Sequence, residues 1–315
     1  MTLPAGENPF NSIVDPSVVA LPSWVKDAYE DRNAQTARDR ATYGETIQYE
    51  HLTMSRSAIA ATAAAALRHA NGDEDRTALI LGPGGCFDIP LEEIVTAFDK
   101  TTLVDVDTTQ TERALSELPA RLLGKIGLVR ADITGRVAEM SAIFEQTDGM
   151  DYLGFIAAAT AAVNSMIERP SYPPVQGRHS FTCSQLLLTQ LSSIPFLRFA
   201  RHVGDVYGQP LSLRPGLPDE PLGYALNEYN VKIQADHIRH LAQLTRPNGT
   251  IHFADTIAEV VHGQVMPMMN AVAIEEMATQ LSPLTPEVIW TWRSTPDRQF
   301  YVLGQSFTPK HVDQD

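Results

Sequence analysis

Cysteine is almost missing from this 315-residue chain: Cys86 and Cys183 are the only two. That excludes a disulfide framework and a CxxC metal pattern, and leaves two small thiols of the kind usually packed in a core. Long apolar runs are also missing, and nothing in the sequence is long enough to span a bilayer. The stretch from Met1 to Pro9 has neither the basic nor the apolar part of a signal peptide, so the expected compartment is the cytoplasm. Basic residues are scarce, 24 against 38 acidic, for a formal net charge of -14. That surplus opposes attraction to nucleic acid or anionic lipid, and the expectation is a small-molecule substrate with neither a nucleic-acid nor a membrane partner. A homodimer is the only self-association carried as an expectation. Internal repeats and low-complexity tracts are absent.

The chain is organised around an apolar run, Thr77 to Leu81, followed by Gly82, Pro83, Gly84 and Gly85 and then by Asp88, Pro90, Glu92 and Glu93. This is the order in which a buried strand hands over to a helix across a bound polar or anionic ligand. The glycines allow close approach to the backbone, Asp88 can cap, Pro90 fits a first turn and the two acids suit the positive end of the helix dipole. The next strand, Thr101 to Asp107, ends in two carboxylates, Asp105 and Asp107, 23 and 25 positions beyond Gly82. An acid at the end of the second strand of an open α/β sheet meets the ribose hydroxyls of a nucleoside, which makes Asp105 the ribose candidate.

Around this centre the pattern predicts an irregular proline-containing arm to about Trp24, a charged helix from Val25 to Arg40, and an alanine-rich helix from Ser57 to Ala70 stopped by Asn71 and Gly72. Tyr43, Tyr49, His51 and Arg56 precede that second helix and are lid candidates. After the Asp105 strand come a helix from Gln110 to Leu118, a third strand and turn from Ile126 through Asp132 to Gly135, and helices over Gly135 to Gln146 and Tyr152 to Glu168. Ser180 to Cys183 reads as a fourth strand turning at Ser184 and Gln185 into an amphipathic run that Pro195 kinks or divides. Gly208 to Pro221 is too proline-rich for a packed element and is expected to be a substrate loop. A helix from Gly223 to Leu244, a fifth strand from Thr250 to Asp255, a helix from Met266 to Leu281 and a closing antiparallel hairpin, Glu287 to Arg293 with Gln299 to Ser306, complete the chain. Strands alternating with helices argue for a parallel sheet with right-handed crossovers. The expected division is an arm and helical lid over residues 1–72 and a nucleotide-binding domain over 73–315.

Taken together, these pieces resemble the class I S-adenosylmethionine-dependent methyltransferases from Thr77 onward. Gly82-Pro83-Gly84-Gly85 looks like the family's glycine motif, Asp105 its second-strand acid, Asp132 its third-strand acid, Pro247 to Gly249 its turn before strand five, and the closing hairpin its strands six and seven. The resemblance implies an α/β fold with a seven-stranded doubly wound sheet of order 3-2-1-4-5-7-6, strand seven antiparallel, carrying an N-terminal helical extension. It implies S-adenosyl-L-methionine as cofactor, its methionine part on Gly82, Pro83, Gly84 and Gly85, its ribose on Asp105 beside Val106, and its adenine near Asp132 and Ile133. Cys183 on strand four falls beside the same site. Two departures stand out: Ile80 takes the place of an acid two residues before the first glycine, and Cys86 takes that of the third glycine.

The rival enzyme reading is an NAD(P)-dependent oxidoreductase, whose fold also pairs a glycine turn with an acid about 20 residues on. There the third fingerprint glycine would fall on Phe87, and the terminal antiparallel hairpin also argues against it. A non-catalytic nucleotide-binding protein of the same fold and an aminopropyl-type transferase would each also suit a glycine turn followed by an acid. For methyl transfer the acceptor-side candidates are Ser184 and Gln185, which the family geometry sets beside the transferred methyl, with His202 as a candidate base. Cys86, Ser184 and Gln185 are expected to share one crevice. His237, His240, Asp255 and His262 are further base or binding candidates, and the i, i+3 spacing of His237 and His240 beside Asp236 permits metal binding. Tyr229, Trp290 and Trp292 are candidates for an aromatic acceptor pocket.

Overall fold

The computed structural model describes residues 23–69, 76–191, 193–208, 210–211, 216–261 and 263–310. The expected arm up to residue 22, the Asn71-Gly72 helix stop, His262 and part of the proline-rich loop lie outside the described residues.

Two long helices open the chain, α1 (Ser23–Tyr43) and α2 (Tyr49–His69). The second begins earlier than the alanine run suggests, because Tyr43 carbonyl oxygen takes the N–H groups of Thr46 and Gln48 and the turn delivers Tyr49 straight into helix. His51, Ser55, Ile59, Thr62, Ala63 and Ala66 are its buried positions, and their three- and four-residue spacing puts them on one face. Then follow β1 (Thr77–Leu81), α3 (Leu91–Ala97), β2 (Lys100–Asp105), α4 (Thr109–Ser116), α5 (Ala120–Leu123), β3 (Ile126–Arg130), α6 (Val137–Gln146), α7 (Tyr152–Glu168) and β4 (His179–Gln185). A 3-10 turn over Leu188–Gln190 leads to α8 (Ser193–Tyr207), so the run containing Pro195 is divided just before that proline, which lies in the first turn of α8. The rest is α9 (Glu220–Leu244), β5 (Thr245–Val261), β6 (Gln264–Pro267), α10 (Ala271–Gln280), β7 (Leu281–Pro283), β8 (Val288–Thr295) and β9 (Arg298–Pro309).

The sheet runs β3-β2-β1-β4-β5-β9-β7, with β6 paired to β5 and β8 to β9. The first five strands are mutually parallel, β9 is antiparallel to β5, and β8 is antiparallel to β9. With β9 as strand seven and β8 as strand six, this is the doubly wound order expected from the sequence. Two features were not expected. The β-branched Val260 and Val261 prolong β5 beyond Asp255, Gly263 turns the chain at φ +78, and β6 pairs back through Met266 with Glu259 and Val265 with Val260. The helix expected from Met266 therefore starts only at Ala271, where Asn270 caps it by accepting from the Ala273 N–H at 2.7 Å. The short β7 also pairs with the end of β9.

Strand alternation divides the core in two. Leu79, Leu81, Val104, Ile251 and Phe253 face a layer built by α6, α7, α9 and α10, while Ala78, Ile80, Leu103, Phe181 and Cys183 face α2 and α3. Because both faces are covered, β1 reads in the sequence as an unbroken apolar run. Ile59, Ala63 and Ala66 of α2 belong to the second core, so that N-terminal helix shares the sheet's interior. Strand order reverses between β1 and β4, which puts the ligand end of the sheet at the carboxyl ends of those two strands.

Candidate active site

The turn after β1 is glycine-rich for two separate reasons. Gly82 and Gly84 have φ of +63 and +50, in the left-handed region that residues with a Cβ adopt at a cost. A Cβ on Gly82 would lie 2.6 Å from Leu187 Cδ1, whereas one on Gly84 would meet nothing within 4 Å. Gly82 thus gives room to the chain leaving β4, and Gly84 exposes its backbone to open space. Cys86, at the place of the third glycine, is itself left-handed at φ 54, and its N–H bonds the carbonyl of the buried Pro83 at 2.8 Å. Gly85 lies under the Phe87 ring, where a Cβ would come within 2.3 Å of Cε2. Asp88 does not cap α3, whose first turn is preceded by Pro90 without a side-chain cap; its carboxylate lies 3.8 Å from His51 Nε2 instead.

The end of β2 is joined to this turn. Gly84 N–H donates to Asp105 Oδ2 at 2.9 Å, Asp107 N–H donates to Asp105 Oδ1 at 3.1 Å, and Thr111 Oγ1 donates to the Gly84 carbonyl at 2.7 Å. Burial pushes the Asp105 carboxyl up to about 6, against the pull of the backbone N–H groups of Gly84, Asp107 and Val106. Three donors leave the carboxylate room for a further one. Val106 beside it is partly buried. Asp107 is fully buried and accepts from Thr109 N–H at 3.0 Å and from Asn33 Nδ2 at 2.8 Å. Asp132 caps its own helix: Oδ1 takes the Thr134 N–H and hydroxyl at 2.9 and 2.7 Å, and Oδ2 the Val137 N–H at 2.7 Å. Ile133 is buried in the first core.

At the end of β4 the two acceptor-side candidates part company. Ser184 and Gln185 are consecutive on a strand and therefore point to opposite faces of the sheet, so the single crevice expected for Cys86, Ser184 and Gln185 is split. Ser184 Oγ is 2.8 Å from His237 Nε2 of α9, both side chains being buried. Burial, with a smaller effect from His240, lowers His237 to about 3, so it is neutral. Its Nδ1 has no hydrogen-bond partner among the described residues. Gln185 donates to Ser55 Oγ of α2 at 3.0 Å and meets His252 Nε2 at 3.1 Å; His252 Nδ1 reaches Thr62 Oγ1 at 3.3 Å, which lies 2.7 Å from Ser306 Oγ. Cys86 and Cys183 sit with this second core, and burial, then the Asp88 charge, pushes both thiols up. His202 of α8 is placed elsewhere, among the rings of Phe144, Phe155 and Tyr207 at 4.8, 5.1 and 6.1 Å. Asp255, held by Thr189 Oγ1 at 2.6 Å and Thr256 N–H at 2.7 Å, anchors the 3-10 turn. Tyr229 is fully buried in the first core.

Of the lid candidates, Arg56 donates through Nε to the Phe87 carbonyl at 2.9 Å, and His51 accepts from Trp290 Nε1 at 2.9 Å while stacking on Trp292 at 5.0 Å. Tyr49 is exposed. Asp236 is paired with Lys232 and Arg239, and among the described residues no group of three or more His, Cys, Asp or Glu side chains is arranged to hold a metal ion. No helix among the described residues is long and apolar enough to cross a membrane. Residues that sequence reasoning passed over are Tyr29, Arg32 and Asn33 of α1 and His252; polar side chains on a charged helix carry no local signal of what they reach across space. Beside Ser184's partner, Ile133, Thr134, Ser171, Leu191, His237 and His240 line a narrow gap with no room for a water molecule. A larger open depression of about 780 Å³ is lined by Pro247, Gly249 and Pro309, at the amino ends of the parallel strands and away from the glycine turn.

No family model matches the chain, and no curated protein matches it. Solved structures do match. The N-methyltransferase NodS from Bradyrhizobium japonicum WM9 in complex with S-adenosyl-L-homocysteine is 11% identical, covering 79% of this chain and 86% of that one at a TM-score of 0.38. The [4+2]-cyclase SpnF is 10% identical over 80% of this chain and 81% of that one, TM-score 0.40. A putative methyltransferase in complex with the Haloferax volcanii Trm112 activator is 11% identical over 92% of this chain and all of that one, TM-score 0.42. Likeness of this degree decides nothing about function. The strand order itself, with its antiparallel seventh strand, is that of the Rossmann-like class I methyltransferase fold.

Proposed function

We propose that the chain is an S-adenosylmethionine-dependent methyltransferase acting on a small molecule. The observation that carries this reading is the bond from Gly84 N–H to Asp105 Oδ2, which sets a buried carboxylate and an unobstructed glycine backbone at one switch point. A ribose diol fits an acid that still has free lone pairs, and the open side of Gly84 gives the rest of the nucleoside a backbone to lie on. Against an NAD(P)-dependent oxidoreductase, the bulk of Phe87 stands where the third fingerprint glycine would be, and β9 runs antiparallel to β5. S-adenosylmethionine, when bound, supplies a methyl group on a sulfonium whose sulfur is the leaving group.

The chain's own contribution is alignment and exclusion of water. Asp105 holds the ribose, Gly82 to Gly85 carry the methionine part, and Val106 and Ile133 flank the base, while the Asp132 carboxylate fixes the turn that presents Ile133. On the acceptor side the Ser184 and His237 pair is a hydroxyl and a neutral imidazole in contact; a ring lowered to about 3 is a weak base, so its role is to fix the Ser184 hydroxyl by a hydrogen bond, and an acceptor that arrives as a neutral amine needs no base. Gln185 supports the site from below by fixing α2. The acidic surface favours a small metabolite over nucleic acid. Titration calorimetry with S-adenosylmethionine, S-adenosylhomocysteine, NADH and NADPH tests the reading: binding of the sulfur nucleosides alone is expected, and tight NADH binding without response to either of them sinks it.

A further inference from the structure

The contacts of α1 run to both banks of the crevice at the sheet's carboxyl end. On one bank Asn33 Nδ2 donates to Asp107 Oδ2 at 2.8 Å, just past β2. On the other, Arg32 Nη2 donates to Gln190 Oε1 at 2.8 Å and Nη1 to Ser193 Oγ, both just past β4. Tyr29, one turn earlier, is partly buried; burial first, then the Asp132 carboxylate, and more weakly that of Asp105 against the pull of Arg32, hold its hydroxyl above the ordinary range. Further along, Arg40 lies over the Trp292 ring of β8 at 5.8 Å and donates to Gln48 Oε1 at 2.7 Å. One helix thus crosses from β3 and β2, past β4, to β8, above the acid pair.

A nucleoside whose ribose is held by Asp105 lies in the gap that Arg32 and Asn33 span. We propose that α1 is a strap over the nucleoside site, and that the clasp from Arg32 to Gln190 and Ser193, with that from Asn33 to Asp107, opens for each entry and each release. This rests on the cofactor reading above. The clasp suits such a role: it consists of polar side-chain bonds, and α1 from Glu30 to Arg40 carries no apolar stripe that would bind it to the sheet permanently. It also connects with the site, since Asp107 is held by Asn33 through its carboxylate and holds Asp105 through its N–H. Lids of this kind set association and release rates more than they set affinity.

The test is surface plasmon resonance of S-adenosylhomocysteine on the immobilised full chain, wild type against the double variant Arg32→Ala, Asn33→Ala, with folding checked by circular dichroism. The association and dissociation rate constants are expected to rise together, each about tenfold or more, with a much smaller change in Kd. Unchanged rates overturn the strap. A rise in dissociation alone makes α1 a wall of the site without gating, and a rise in association alone makes it a competitor; either overturns the proposal. A second variant guards against misfolding: Arg32→Cys with Gln190→Cys, joined by a short bismaleimide, is expected neither to take up nor to release the nucleoside, whereas linked protein that binds as fast as unlinked overturns the strap. If neither wild type nor variants bind S-adenosylmethionine or S-adenosylhomocysteine, the cofactor reading fails and the strap with it; if all bind at equal rates, only the strap fails.

Discussion

Gly84 and Asp105, 21 positions apart, are held together by a 2.9 Å bond from backbone N–H to carboxylate. The glycine turn and the ribose acid therefore form a unit, and removing the acid does two things at once. It takes away the ribose acceptor and leaves the Gly84 and Asp107 N–H groups without it. Asp105→Ala is expected to weaken S-adenosylhomocysteine binding by about 1–3 kcal/mol, the usual cost of unsatisfied buried partners, while circular dichroism shows the fold intact. An unchanged affinity in a folded variant refutes the ribose assignment.

The two left-handed glycines separate folding from binding. Gly82→Ala drives a Cβ into Leu187 as well as incurring the left-handed strain, so it should lower the melting temperature markedly. Gly84→Val meets no protein atom near its Cβ position, and its cost to the fold should stay near the strain of about 1–2 kcal/mol, yet it fills the space the cofactor needs. Thermal melts and calorimetry on the pair check this. A Gly84→Val protein that binds S-adenosylhomocysteine normally would move the nucleoside away from the turn.

Gln185 lies between Ser55 of α2 and His252 of β5, at 3.0 and 3.1 Å. Gln185→Leu keeps the volume and strips both buried partners, for an expected loss of about 1–3 kcal/mol of stability. Because its side chain is turned toward α2 and away from Ser184, nucleoside affinity is expected to hold within about twofold, RT ln 2 being only ~0.4 kcal/mol. Urea unfolding and calorimetry measure the two effects separately. A variant of full stability with lost affinity would return Gln185 to the reacting centre.

The order of the sheet was legible because it is written locally: apolar runs bounded by glycine or proline, acids at strand ends, and a hairpin too short to join parallel strands. The turn at Gly82 and Gly84 and the strand-end positions of Asp105 and Asp132 were legible for the same reason, and their part in holding a nucleoside is the proposal made above. What stayed hidden is non-local. Neighbouring positions such as Ser184 and Gln185 look equivalent in a motif, yet the two-residue period of a strand sends them to different faces, one to His237, 53 positions on, and the other to His252. The same holds for Asn33, whose partner Asp107 is 74 positions away. The hairpin of β5 and β6 was missed because Val260 and Val261 follow Asp255 without a break that a strand boundary would need.

His237 supplies the last prediction, through its opposition to Asp105 in the pH dependence of stability. Its folded pKa is about 3, chiefly because burial disfavours the charged ring, while the unfolded chain titrates near 6.5. Between those values the unfolded state binds a proton that the folded state does not, so this histidine's contribution is complete above pH 6.5 and is lost as pH falls toward 3. His252, lowered to about 4 by burial, acts in the same direction. Asp105, raised to about 6, acts in the opposite one, since its folded form keeps a proton that the unfolded chain releases between about pH 4 and 6. His237→Gln retains a polar group within reach of Ser184 but cannot titrate. Its stability, from urea unfolding at pH 7, 5.5 and 4.5, is expected to fall less steeply than wild type on acidification, by about one proton or ~1.4 kcal/mol per pH unit inside the window. Parallel curves for the two proteins would show that His237 titrates alike in the folded and unfolded states, and the ring would then not be the buried, permanently neutral partner of Ser184 described above.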